Sequence, residues 1–365
     1  MFGHQDDPFY GIGWAYEEGK SDVRETCGDW PAVMGFDLGG IEMDDSKNLD
    51  SVPFDCIRQQ AVAHHLRGGI VTISWHPRNP LTALEHLGTW PEGSAWEATD
   101  GAVTAILPGG EKHELFMIWL ERVRTFLSTL RTEDGELIPF IFRPWHENNG
   151  AWFWWGNTHC TPEEYRALYA LTQDYLTAKR SNSDSGLTAK RSNSDSGLTA
   201  KRSNSDSGLT GEADLTSNVV WSYSPNLDGN MSEEKFLQWY PGDEHIDLIG
   251  LDAYQWGTEE DFVRQTRADL DMLCAFAKQH NKLVALTECG FINVPDPTWW
   301  HRVLLPIIEE YSLSSDSTKC GLSYALVWRN AEKEHFGPVP NTESAENFRL
   351  FYASPRTLFL KEIVH

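Results

Sequence analysis

No apolar stretch in the 365 residues approaches the ~18 needed to span a bilayer, which excludes a spanning helix within them. The run after Met1, FGHQDD, has neither the basic start nor the apolar centre of a signal peptide. Basic residues are scarce: 30 Lys and Arg face 54 Asp and Glu, a formal charge of -24 that repels phosphate backbones and anionic lipid headgroups. Nucleic acid and membrane surfaces are therefore poor partners for it. The six cysteines, Cys27, Cys56, Cys160, Cys274, Cys289 and Cys320, form no CxxC pair and no metal-type spacing. They fit buried thiols or one or two disulfides.

Tryptophan, by contrast, is abundant. Sixteen Trp within an aromatic content of 12% exceed what core packing usually demands. On an acidic chain such a surplus fits stacking against the apolar faces of sugar rings, with Trp14, Trp30 and Trp119 read as core. Four aromatics, Trp152, Phe153, Trp154 and Trp155, follow Glu147 closely in the run LIPFIFRPWHENNGAWFWWG, 137–156. A second carboxylate, Glu288, ends the run KLVALTECG, 282–290. Strands covered on both faces read as continuous apolar runs. A carboxylate at the carboxyl end of such a run is aimed out of the core, where parallel barrels keep their active sites.

Eight apolar runs alternate with helical patterns. The expected strands are 2–5, 31–37, 69–76, 137–143, 218–224, 246–254, 282–287 and 322–328, with helices at 53–67, 114–131, 162–178, 259–280 and 298–311. Eight parallel strands with helical crossovers give an α/β fold, a single (β/α)8 TIM barrel over 1–365. Thr161-Pro162-Glu163-Glu164 supplies an N-cap, a proline at the first helical position and an acidic first turn. The long stretch 77–113, carrying Trp90 and Trp96, is expected to shape a cleft. The segment LTAKRSNSDSG occurs three times without mismatch across 176–208, which points to recent duplication or an assembly event. Its polar composition cannot bury a core. It is read as a flexible insertion on the face opposite the site, with no catalytic role.

In such a barrel His4, Asp37, His76, His146, Glu147, Tyr254, Glu288, Trp328 and Arg329 would converge on one rim. A retaining glycosidase needs one carboxyl to protonate the leaving oxygen and a second, ~5 Å away, to attack the anomeric carbon. Donors must keep that nucleophile ionised. Arg143 and Tyr254 are suited to bond Glu288, and His76 and His146 to meet sugar hydroxyls.

At these residues the chain resembles glycoside hydrolase family 26, the β-mannanases of clan A. RPWHENNGAWFWWG is similar to that family's acid/base segment and LTECG to its nucleophile strand, with FGHQDD, PAVMGFDLG, SWHPRNP, ILPGG, WSYSP, GLDAY and VWRN in the family's order. The resemblance spans residues 2 to about 330 and excludes the repeat; 83–96 looks longer than the family's loop. It implies Glu147 as acid/base and Glu288 as nucleophile. It places His146 where most clan A families carry Asn, Tyr254 beside the nucleophile and Trp328 under the sugar at the cleavage point. His76, Trp152, Asp252 and Arg329 match neighbouring subsite residues.

The activity implied is that of a retaining β-1,4-mannan hydrolase of mannan, galactomannan or glucomannan, needing no cofactor and no metal. Internal cleavage is the leading expectation and exo-release of mannobiose the alternative. Hydrolysis of a mixed-linkage glucan or β-1,3-xylan, or a non-catalytic mannan-binding barrel, stands further off. The partners expected are β-mannans and manno-oligosaccharides, and the protein is expected to be a monomer. An enzyme acting on a polymer must be exported, so the initiator Met is expected to stand in for a removed export segment.

Overall fold

A computed structural model describes residues 1–83, 90–178, 187–189, 200–202, 215–312 and 319–364. Eight parallel strands close into a barrel in the order β1-β8-β7-β6-β5-β4-β3-β2. They are β1 (Phe2–Gln5), β2 (Val33–Asp37), β3 (Ile70–Trp75), β4 (Phe140–Pro144), β5 (Val219–Tyr223), β6 (Leu248–Tyr254), β7 (Leu283–Gly290) and β8 (Leu322–Val327). The seam is closed by the first and last strands, with Phe2 opposite Ala325 and His4 opposite Val327. Every expected strand forms, mostly trimmed by one to three residues at its edges. The strand ending in Glu288 instead runs on to Gly290, three residues past the expected Thr287.

Helical crossovers follow each strand. The principal ones are α1 (Asp22–Cys27), α2 (Phe54–Leu66), α3 (Ala102–Ile106), α4 (His113–Ser128), α5 (Pro162–Thr177), α6 (Glu233–Trp239) and α7 (Glu259–His280), with a π turn at Trp300–Leu304 leading into α8 (Leu305–Tyr311). At the start of α5 the Thr161 hydroxyl accepts from the Glu164 amide at 3.2 Å, and the Glu164 carboxylate accepts from the Thr161 amide at 2.8 Å. Two of the orphan amides of the helix start are thus satisfied. Helices α1, α3 and α6 are too short to show a periodicity and escape the sequence reading.

Two layers of apolar packing hold the barrel. Val33, Ile141, Leu248, Ala285, Tyr324 and Leu326 form a small cluster drawn largely from alternate strands, the arrangement that fills a barrel lumen. A larger cluster, including Ile73, Phe142, Trp119, Leu120 and Tyr165, lies between strands and helices. Cys274 on α7 and Cys320 before β8 are joined by a disulfide, while Cys27, Cys56, Cys160 and Cys289 are free.

The two strands richest in site residues, β6 and β7, are out of simple register. Leu251 pairs with Leu286, but the next residue, Asp252, pairs with Glu288, leaving Thr287 as an unpaired bulge. Of the triple repeat, Leu187–Ala189 pairs antiparallel with Ala200–Arg202, apart from the barrel. The rest, from 179 onward, lies outside the described residues, as do 84–89 of the long stretch after β3. The expectation of a flexible insertion falls there.

Candidate active site

Arg143 lies near the end of β4 and is buried to 3% exposure. Its guanidinium donates to Ser224 Oγ at 3.2 Å, to Asp252 Oδ2 at 2.8 Å and to Glu288 Oε1. One cation thus bridges two carboxylates from adjacent strands. The Thr287 hydroxyl, turned aside by the bulge, donates to the other oxygen of Asp252 at 2.6 Å. Bulges recur where an active site must re-aim a side chain. Crowding beneath is relieved by Gly250, where an added Cβ would sit 2.2 Å from the Thr287 hydroxyl and 2.6 Å from Ser224 Cβ. The second oxygen of Glu288 accepts from Tyr254 Oη at 2.6 Å. Glu288 therefore has a charge-assisted donor on one oxygen and a phenol on the other, which fix the direction of its carboxylate.

Glu147 is treated differently. It stands on backbone of positive φ, 53°, two residues after Trp145 at 55°, a region that side chains with a Cβ rarely adopt. Its amide donates to the Ser224 carbonyl at 2.7 Å. Its carboxylate accepts from the Trp152 indole at 2.8 Å and the Asn226 side chain at 2.9 Å, with no cationic side chain among the described residues in contact. Burial, and next the charge of Glu288, push its pKa up to about 7. Glu147, Asp252 and Glu288 each bring an oxygen within 4.8 Å of the others. That spacing could hold a cation, but Arg143 already supplies the positive charge between Asp252 and Glu288.

A second polar chain lines the opposite wall. Asp37 accepts from Ser74 at 2.6 Å and from the Gly39 amide at 2.6 Å, and contacts His76 Nδ1 at 2.7 Å. Nε2 of His76 meets Nε2 of His146 at 2.9 Å, so one of the two must donate. Despite the cost of burial, the charge of Asp37 and its hydrogen bond raise the pKa of His76, whereas burial and the charge of Arg143 lower that of His146. The two shifts run in opposite directions, which suits His76 as the donor of the pair and His146 as the acceptor.

Around these groups opens a cavity of about 460 Å³ walled by His76, His146, Glu147, Trp152, Tyr254, Glu288, Trp328 and Arg329. The structure brings together all of these sequence-selected residues; Arg143 and Asp252 lie behind the wall and hold it. Arg329 is paired with Asp50 at 3.1 Å. Two expectations are corrected. His4 bonds Asp7 at 2.8 Å and is no part of the cavity wall. Trp154 and Trp155 are wholly buried, so they cannot stack on a ligand; their indoles donate to the carbonyls of Pro77 and His146 and brace the loop that carries Glu147. Trp152 alone of the four aromatics is exposed, and Gly150 makes room for it, since a Cβ there would lie 2.4 Å from its ring. Asn226, Ser224, Asp50 and Trp256 escaped the sequence reading. The segment WSYSPN, at the end of β5 and just beyond, was the available signal for the first two.

A family model described as "Glycosyl hydrolase family 26" matches residues 1–184 and 210–300 and passes over the second and third copies of the repeat. The chain is 32% identical to a mannan endo-1,4-beta-mannosidase of Bifidobacterium adolescentis over 279 residues, 74% of this chain and 24% of that protein. It is 25% identical to one of Bacillus subtilis, covering 64% of this chain and 52% of the other. It thus spans between a quarter and about half of the length of these curated relatives. Among solved structures it resembles a GH26 beta-mannanase from Bacteroides ovatus, with a TM-score of 0.82 and 37% identity over 100% of this chain and 92% of the other. A modular endo-beta-1,4-mannanase from Cellulomonas fimi gives a TM-score of 0.76 and 29% identity, over 99% and 72%.

Proposed function

The chain belongs to glycosyl hydrolase family 26, and on that premise we propose that it hydrolyses β-1,4-mannans internally with retention of anomeric configuration. The observation that carries the proposal is the unequal treatment of two carboxylates whose oxygens lie within 4.8 Å. Retaining glycosidases hold their carboxyl pair ~5 Å apart, whereas inverting ones leave room for a water between. Glu288, bonded by Arg143 and Tyr254, is the nucleophile that attacks the anomeric carbon. Glu147, its pKa pushed up to about 7, arrives protonated and gives its proton to the leaving glycosidic oxygen. With the leaving sugar gone, the resulting Glu147 carboxylate takes a proton from water, which displaces Glu288 from the anomeric carbon.

The remaining residues serve substrate. Trp328 and Trp152 offer ring faces, His76 and His146 shape the wall beside the acid, and Arg329, paired with Asp50, stands on the same cavity. None of these steps calls on a metal or organic cofactor. A polymeric substrate cannot enter a cell, so the protein acts after export, as a monomer. The Cys274–Cys320 disulfide supports an oxidising compartment.

The mannanase names of the relatives support mannan as the substrate. One observation favours a second reading, exo-release of mannobiose: the long stretch after β3 reaches the cavity, where Trp96 stacks on His76 with centroids 5.2 Å apart. A time course of products from unbranched mannan, read beside viscosity, tests both. Mixed oligosaccharides with rapid viscosity loss mean internal cleavage; mannobiose alone with slow loss means exo action; no reducing ends at all overturn the assignment.

A further inference from the structure

Of the sixteen tryptophans, three are exposed: Trp90 at 73%, Trp256 at 70% and Trp152 at 40%. Isolated exposed apolar side chains are ordinary. Here all three line cavities at one end of the barrel. Trp152 and Trp256 stand on the central cavity, and Trp90 lines a separate one of about 400 Å³, within the size range of natural ligand sites. The two cavities meet at Leu49, His76 and Trp96. A third cavity joins the central one elsewhere, at Trp152 and Asn226, the two residues that bond Glu147. Among the described residues, the Trp90 cavity and this third one share no part of their walls.

That arrangement orients a chain. In the mechanism above Glu147 protonates the leaving oxygen, so sugar on its Trp152–Asn226 flank belongs to the leaving group. Sugar running the other way, past His76 and Trp96, belongs to the part held by Glu288. From these positions we infer that the Trp90 cavity is a distal subsite that stacks a mannosyl unit of the glycone beyond those in the central cavity.

The floor and rim are built to hold a platform in place. Glu42, fully buried, accepts from the amides of Gly40 at 2.9 Å and Arg78 at 2.8 Å, tying the loop after β2 to the loop after β3. The Trp75 indole donates to the same carboxylate at 3.1 Å. On the Trp90 side, Glu97 accepts from the Thr82 hydroxyl at 2.6 Å and from the Gly93 amide, and Asn79 donates to the Glu97 carbonyl at 2.6 Å. The segment following Trp90 is thus ordered before any ligand arrives, which lowers the cost of binding. Around the ring stand Lys47, Asp45, Arg78 and Glu92, groups able to bond sugar hydroxyls, so the wall joins an apolar face to a polar frame.

The inference rests on the mannan reading, and its test can fail separately from it. Binding of mannohexaose and of mannobiose is measured by titration calorimetry on Glu288→Ala, with and without Trp90→Ala. The hexaose should bind roughly tenfold more weakly when the ring is lost, the scale set by exposing part of an aromatic face. Mannobiose affinity should not move, and Trp90→Phe should restore most of the loss. In the otherwise wild-type enzyme Trp90→Ala should raise KM for the hexaose and leave kcat nearly unchanged. Equal weakening for both lengths, or none for the hexaose, overturns the subsite. Hydrolysis of mannan by the parent enzyme, scored independently, decides the underlying function.

Discussion

The indole of Trp152 donates to Glu147 Oε2 at 2.8 Å, so the residue that offers an open ring face to the cavity also lowers the proton affinity that burial and Glu288 give the acid beside it. Substrate contact and acid strength are joined in one side chain.

That bond sets a pH dependence. The general acid must be protonated, so kcat/KM should fall as pH rises through about 7. The indole hydrogen bond favours the carboxylate and lowers the pKa; removing it must raise the pKa. Trp152→Phe should therefore move the alkaline limb upward, read from a pH–rate profile. A limb that stays in place or moves down contradicts the assignment of Glu147.

Stability carries the same sign. A carboxylate whose folded pKa lies above its unfolded value of 4.5 loses stability as pH climbs from 4.5 to about 7, where the chain must ionise it in the fold. Glu147→Gln removes that loss. Its melting temperature should match the parent near pH 4.5 and exceed it at pH 8, by an amount corresponding to ~1–3 kcal/mol.

The two carboxylates should fail in different ways. Glu288→Ala should abolish turnover of every substrate. Glu147→Ala should spare the first step for substrates with good leaving groups and then accumulate a glycosyl-enzyme, visible by mass spectrometry. Product formed by the parent should first appear with retained configuration in an NMR time course. Inverted product would refute the double displacement.

Arg143→Met should do more damage to folding than its distance from substrate suggests. It leaves Asp252 and Glu288 as buried carboxylates without a cation, a loss of ~3–5 kcal/mol for breaking such an arrangement. Denaturant unfolding at neutral pH would measure it, and the deficit should shrink in acid as Asp252, whose pKa burial raises, takes up a proton.

Deleting residues 187–208 removes two copies of the repeat and keeps one. Helix α5 ends and β5 begins at the amino ends of the barrel strands, away from the rim, and shortening what joins them changes closure entropy by only ~1 kcal/mol. Mannan hydrolysis should stay near the parental rate; a folded deletion variant with most activity lost would place the segment at the site.

The barrel was readable because its strands are covered on both faces and so appear as unbroken apolar runs, and α5 because Thr161-Pro162-Glu163-Glu164 announces its start. Glu147 and Glu288 stood out as carboxylates at the ends of such runs. Asn226 did not, since one Asn after a proline in a loop carries no periodic signal. Trp154 and Trp155 misled for a related reason. An aromatic run after a strand reads alike whether its rings face a cleft or the core, and only the packing of Trp145 between them and Trp75 decides it.

Thr287 acts as a phase shifter. A strand is a ruler graduated in twos, each step turning the next side chain to the other face. By leaving one graduation unmatched, β7 puts Glu288 level with Asp252, a place that uninterrupted counting would give to Thr287. Excising that single threonine would restore the even count and exchange the faces of everything after it. Any grafting of this site onto another barrel must therefore transplant the miscount together with the carboxylates.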